Sequence, residues 1–164
     1  SMHFFISILM QLILFIGVQA SGKSTFYQHY FARSHLRINL DMLKTRHREK
    51  IIFEACIQSK TQCVIDNTNM RKEDRARYMQ HALDADFEVI AYYFATDLTS
   101  TLQRNAQREG KAKIAEKGVI ATYHRLEMPE LSEGFSEIYH VQITQNHEFS
   151  MQLFAQQQEE SHEI

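Results

Sequence analysis

Residues 11–25 read Gln11-Leu12-Ile13-Leu14-Phe15-Ile16-Gly17-Val18-Gln19-Ala20-Ser21-Gly22-Lys23-Ser24-Thr25, and this stretch decides the fold. An uncharged apolar run of strand length enters a loop of the form G-x-x-x-x-G-K-[ST], and the loop opens a segment with helical spacing. Each part has a physical reason. Glycines let the backbone wrap closely around phosphate oxygens, successive N–H groups point inward, and a helix N-terminus adds positive potential. Gly17, Ala20, Ser21, Gly22, Lys23, Ser24 and Thr25 are therefore the candidate phosphate-cradling residues. Lys23 would place its charge on the β and γ phosphates of a nucleotide, and the Ser24 hydroxyl is positioned to ligate Mg²⁺, which prefers oxygen ligands.

Working outward, apolar runs of strand length alternate with longer segments of helical spacing, the pattern of a parallel sheet flanked by helices. Strands are expected at residues 11–17, 36–39, 62–66, 87–94 and 137–143, giving an α/β domain with a five-stranded, mainly parallel sheet covered on both faces. Helices are expected at 23–33, 42–59, 71–85, 97–108 and 118–128, with Asp97 capping the fourth and Pro129 stopping the last. The tail, residues 144–164, is rich in Gln and Glu. Its apolar Phe149, Met151, Leu153 and Phe154 imply one short docked helix.

A length of 164 residues fits one domain with its own core, here built around residues 10–143. A formal charge of −2 supplies no global attraction to nucleic acid or anionic membrane, so any such binding must come from local basic patches. Cys56 and Cys63 lack metal-site spacing and read as free thiols of a cytoplasmic protein. The apolar residues 4–18 are too short to span a bilayer, lack a basic leader and run straight into the phosphate loop, so neither a signal peptide nor a membrane anchor is expected. Ser1-Met2 has the look of a cloning scar and a start codon, with residues 3–9 an extra leading segment or a misplaced start.

Two further groups fall where strand ends meet helix starts, which is where open α/β sheets bind ligands, and a third stands on a helix. Asp41 follows the second strand and could accept a hydroxyl proton or simply cap the next helix. Asp66, Asn67, Thr68 and Asn69 follow the third strand, and Asn67 and Thr68 could equally form a side-chain-capped turn. Arg104 and Arg108 stand four apart on one face of a helix. Residues 109–118, with a glycine at each end and three lysines between, suit a mobile lid. Arg71, Lys72, Arg75 and Arg77 form one basic group, and Arg46, Arg48 and Lys50 another. Both would track a phosphate backbone if they flank the cleft.

The phosphate loop, Leu40-Asp41-Met42-Leu43-Lys44, Val64-Ile65-Asp66-Asn67-Thr68-Asn69 with Arg75 to Tyr78 beyond it, and Gln103 to Arg108 occur in an order and spacing that resembles the polynucleotide 5′-kinases and related P-loop kinases over residues 11–143. The resemblance implies a P-loop NTPase fold with a helical lid, ATP and Mg²⁺ as cofactors, and transfer of the γ-phosphoryl group to a hydroxyl. It makes Asp41 the general base, Lys44 a contact to the acceptor phosphate where the family often has arginine, and Asp66 a group that orders the metal or acceptor. Thr68, Asn69 and Arg75 become acceptor contacts, and Arg104 and Arg108 lid arginines that neutralise charge on the transferred group. The implied acceptor is a DNA or RNA 5′ end. A small-molecule kinase acting on a nucleoside, sugar or nucleotide sugar is the alternative, and a nucleotide-dependent switch is a third reading.

Overall fold

The computed structural model describes residues 9–110, 114–144 and 146–158. Six strands form one sheet in the order β2-β3-β1-β4-β5-β6. They are β1 (Gln11–Ile16), β2 (Leu36–Ile38), β3 (Cys63–Ile65), β4 (Glu88–Phe94), β5 (Glu137–Ile143) and β6 (Phe149–Gln156). The first five run parallel and β6 returns antiparallel to β5. The expected α/β architecture is present with one strand more than expected.

The central position of β1 follows from its composition, because no residue from Leu12 to Ile16 can face water. Leu12, Leu14 and Ile16 pack on one face with Phe53 and Cys56 of α3 (Arg46–Gln58) and Tyr78, Met79 and Ala82 of α4 (Lys72–Asp84). Ile13 and Phe15 pack on the other face with Phe26 and Tyr27 of α1 (Lys23–Tyr30), and with Phe94 and Val141 of the neighbouring strands. Each of the buried Leu, Ile, Val, Phe and Met side chains among them stabilises the fold by roughly 1.5–3 kcal/mol. The chain leaves β1 toward β2 and β3 on one side and places β4 on the other. A crevice therefore opens beyond the carboxyl end of β1, at the switch in strand order.

Three boundaries differ from expectation. The single helix expected at 42–59 is two, α2 (Leu40–Leu43) and α3, because Lys44 turns at φ +74° and Thr45 caps anew by accepting from Arg48 N. Asn39, not Asp41, caps α2, its side chain accepting from Met42 N. Helix α6 (Glu116–Tyr123) ends well before Pro129, and a 3-10 turn follows at Leu131–Glu133. Helix α5 (Leu98–Ala106) begins as expected, with Asp97 Oδ1 accepting from Ser100 N at 2.8 Å.

The tail is the clearest correction. Residues 149–156 form a strand, not a helix, and Phe154 is the extra residue at a bulge opposite Ile138 and Tyr139. Phe149, Met151 and Leu153 recur at a spacing of two, which is the period of a strand face. Phe149 packs on Phe26 with ring centres 5.1 Å apart, and Phe154 stacks on His140 at 4.2 Å. Both cysteines are buried free thiols. Among the described residues no helix is long and apolar enough to cross a membrane. Residues 1–8 and the lysines Lys111 and Lys113 of the expected lid lie outside the described residues.

Candidate active site

The phosphate loop joins β1 to α1 and is tied down by a bond from Gly17 N to Thr68 O at 3.0 Å. Gly17 is required by packing: a Cβ there would stand 2.9 Å from Phe94 Cβ and 2.9 Å from Ser21 Oγ. Gly22 is required by backbone conformation, at φ +95° immediately before the helix. Ala20 at φ +61° bears local strain of the kind concentrated at ligand-binding loops.

Lys23 lies inside the loop, its Nζ donating to Gly17 O at 2.9 Å and Val18 O at 2.7 Å. Burial lowers its pKa to about 8, with Arg108 adding to the shift and the carboxylates of Asp66 and Asp41 opposing it. Arg104 Nε donates to Ala20 O at 2.8 Å, fixing α5 to the loop. Arg104 Nη2 and Arg108 Nη1 are buried and have no hydrogen-bond partner among the described residues. Buried donors left in that state cost free energy unless a ligand completes them.

One cleft of 1510 Å³ is lined by the whole phosphate loop beyond Val18, by Asp41 of α2 and Lys44 just after it, by Asp66 to Asn69 beyond β3, and by Arg104 and Arg108. That volume exceeds the ~300–1,000 Å³ usual for one small ligand and leaves room for two. Its lining carries six cations (Lys23, Arg37, Lys44, Arg46, Arg104, Arg108) against three carboxylates (Asp41, Asp66, Asp74), a local positive balance in a chain of net charge −2. Such a field suits a polyanion. The end of β5 closes on the start of α1: the Ile143 side chain would stand 2.7 Å from a Cβ on Gly22.

Asp41 is exposed on the first turn of α2, and Lys44 and Thr68 also face the cleft. Asp66 is buried, with Oδ2 accepting from Ser24 Oγ at 3.3 Å. Asn69 is only 4% exposed, and its amide donates to Phe15 O at 2.8 Å, so this side chain braces β1 as well as bordering the cleft. Arg75 overturns its expected placement. It is completely buried, forks onto Glu133 at 2.8 and 3.0 Å and donates to Asn69 O and Met70 O, and it does not line the cleft. Its length and planar fork let it tie the loop after β3 to the 3-10 turn, which the sequence pattern alone could not distinguish from a basic surface. Lys72 pairs with Glu130, and Arg48 donates to Leu43 O. Of the two basic groups only Arg46 borders the cleft.

Several participants escape a reading of motifs. Arg37 on β2 donates from Nε to Asp66 Oδ2 at 2.8 Å and from Nη2 to Ser24 Oγ at 3.0 Å. Buried Glu49 accepts from Tyr78 Oη at 2.7 Å, Asn67 Nδ2 at 2.8 Å and Arg46 Nη1 at 2.8 Å. Asn67 Oδ1 in turn accepts from Leu40 N at 2.8 Å, so this network sets the start of the helix that bears Asp41. Asn105 clasps Ile114 across the root of the expected lid, its Nδ2 donating to Ile114 O at 2.6 Å and its Oδ1 accepting from Ile114 N at 2.9 Å. The one available signal was a polar residue at a position of helical core spacing, as at Glu49 and Asn105.

The bifunctional polynucleotide phosphatase/kinase of Schizosaccharomyces pombe is 26% identical over 144 residues, covering 85% of this chain and 35% of that protein. The chain thus spans about a third of that relative's length. A gluconokinase from Sinorhizobium meliloti 1021 superposes with a TM-score of 0.58 at 16% identity, over 82% of this chain and 83% of that one. Kti12 from Chaetomium thermophilum, in complex with ADP-AlF3, does so with a TM-score of 0.65 at 14% identity, over 83% and 92%. These two likenesses establish the fold. The AAA domain family matches residues 12–127, well over half of the chain and the part that holds the loop, the strand-end carboxylates and the paired arginines; the chain belongs to that family and carries its P-loop kinase domain.

Proposed function

We propose that this chain transfers the γ-phosphoryl group of ATP to the 5′-hydroxyl of a polynucleotide. The observation that carries the reading is the pair of buried guanidinium donors, on Arg104 and Arg108, that have no partner among the described residues and border the same cleft as Lys23 and Asp41. Donors held ready in a partly dehydrated site stabilise charge on a phosphoryl group in transfer at little cost in reorganisation. The acceptor oxygen bonds to the γ-phosphorus as the bond from that phosphorus to the β,γ-bridging oxygen breaks, ADP departs, and the hydroxyl proton passes to the Asp41 carboxylate. Ser24 Oγ and Asp66 are hard oxygen donors that suit Mg²⁺, and they would hold it there. When bound, the ion would neutralise phosphate charge.

The polynucleotide acceptor is supported by the relative from Schizosaccharomyces pombe and by Lys44 and Arg46 on the acceptor side of the cleft. The burial of Arg75 favours a second reading, a small-molecule kinase, because it removes one cation from any backbone-tracking surface. Transfer of labelled γ-phosphate to a panel of 5′-hydroxyl DNA and RNA oligomers, nucleosides and sugars separates the two. Labelled oligomer that is lost in Lys23→Ala and reduced about 10²–10⁴-fold in Asp41→Asn, with nucleotide affinity of the latter kept, is the expected result. Label on small molecules alone moves the acceptor to the second reading.

A further inference from the structure

The phosphate loop is accompanied by a cation that its sequence pattern does not require. Arg37 forks onto Asp66 Oδ2 at 2.8 Å and Ser24 Oγ at 3.0 Å, and those two oxygens are themselves 3.3 Å apart. Its guanidinium carbon lies 5.9 Å from the centre of the Tyr27 ring, which helps to hold the side chain in place. The Arg37 side chain is 25% exposed and that of Asp66 only 2%, so the pair is shielded from full solvent screening. A planar fork presents two N–H groups to the two oxygens in a fixed geometry, where an ammonium offers only a rotatable point charge.

We propose that Arg37 is an internal competitor for the magnesium position, one that lessens the dependence of nucleotide binding on the metal. The inference rests on the assignment of Ser24 and Asp66 to magnesium made above. Arg37 occupies one of the two lone pairs of the Ser24 oxygen, from the side where Asp66 would also meet a cation, and its own positive charge opposes a second one beside it. In the absence of metal, the same guanidinium supplies a positive charge near the nucleotide phosphates. Both effects act in one direction: Arg37 weakens binding of the metal–nucleotide pair and strengthens binding of nucleotide alone.

The test is calorimetric titration of the full chain with ADP, once with magnesium in excess and once with chelator. The ratio of the two dissociation constants measures metal coupling. Arg37→Met, which keeps length and removes the charge, is expected to raise that ratio about tenfold over wild type, a size typical of coupled sites. Arg37→Lys, which keeps the charge without the fork, is expected to fall between them. Electron spin resonance of Mn²⁺ with ADP should show tighter metal binding to Arg37→Met in the same order. Ratios equal within about twofold, with wild-type metal dependence intact, would overturn the role of Arg37 and leave the metal assignment standing. Metal-independent binding in every form would remove the metal assignment and the proposal together. Should Arg37→Met fail to fold, Arg37→Lys decides alone: a ratio equal to that of wild type overturns the proposal.

Discussion

The two sides of the cleft are built in different ways. On the nucleotide side, backbone geometry does most of the work: Gly22 at φ +95°, the close approach of Gly17 to Phe94, and Lys23 held by loop carbonyls. On the side proposed for the acceptor, the positioning is done by side chains that meet from distant parts of the chain. Glu49, Asn67 and Tyr78 belong to α3, the loop after β3 and α4, yet they share one network that ends on Leu40 N. A phosphate group is the same in every nucleotide and can be read by a fixed loop, whereas an acceptor varies and is read by replaceable side chains. The difference predicts that damage to the first side is felt in nucleotide affinity and rate, and damage to the second in acceptor handling and fold stability.

The sharpest probe of that division is the arginine pair. Replacing Arg104 or Arg108 with Ala should lower the transfer rate about 10²–10³-fold, measured with labelled ATP at saturating acceptor. Arg104→Ala should also weaken nucleotide binding, because it frees Ala20 O in the loop. An equal loss of rate with an unchanged nucleotide affinity in both variants would confine their role to the transition state.

A smaller effect is expected across the cleft. Glu49→Ala leaves Asn67, Tyr78 and Arg46 without their shared acceptor and should cost about 2 kcal/mol of stability by chemical denaturation. Its acceptor KM should rise while nucleotide affinity stays within about twofold. If nucleotide affinity fell as much as acceptor KM rose, the two sides would not be independent.

The smallest expected effect is set by pH. The Lys23 value of about 8 in the folded chain lies below the ordinary 10.5, so between those limits the unfolded chain binds more protons and the Lys23 contribution to stability rises with pH. Nucleotide affinity moves the opposite way, since the phosphates need the charged amine: it should fall by up to about tenfold per pH unit above 8, across the interval by which bound phosphate raises the Lys23 pKa. Calorimetry from pH 7 to 9 on wild type and Lys23→Arg checks this, with the decline absent in the variant.

Much of the nucleotide side was legible before any coordinates. The loop pattern, the buried β1 and the alternation of strands and helices each depend on neighbours within a few residues, and local sequence governs them directly. Asp97 as a cap belongs to the same class. The strand at Phe149–Gln156 was encoded too, as a period of two among Phe149, Met151 and Leu153, but a helical docking was expected because glutamine-rich composition masked the alternation. Tertiary structure alone decided that Arg75 is buried on Glu133 rather than offered to a ligand, that Arg37 reaches Ser24 and Asp66, and that Asn67 fixes the helix of Asp41. Arg75 and Glu133 are 58 residues apart and Arg37 and Asp66 are 29 apart. A charged side chain carries no mark of its partner in its own sequence neighbourhood; only the close packing of strand ends determines which opposite charge it meets, and whether water is left between them.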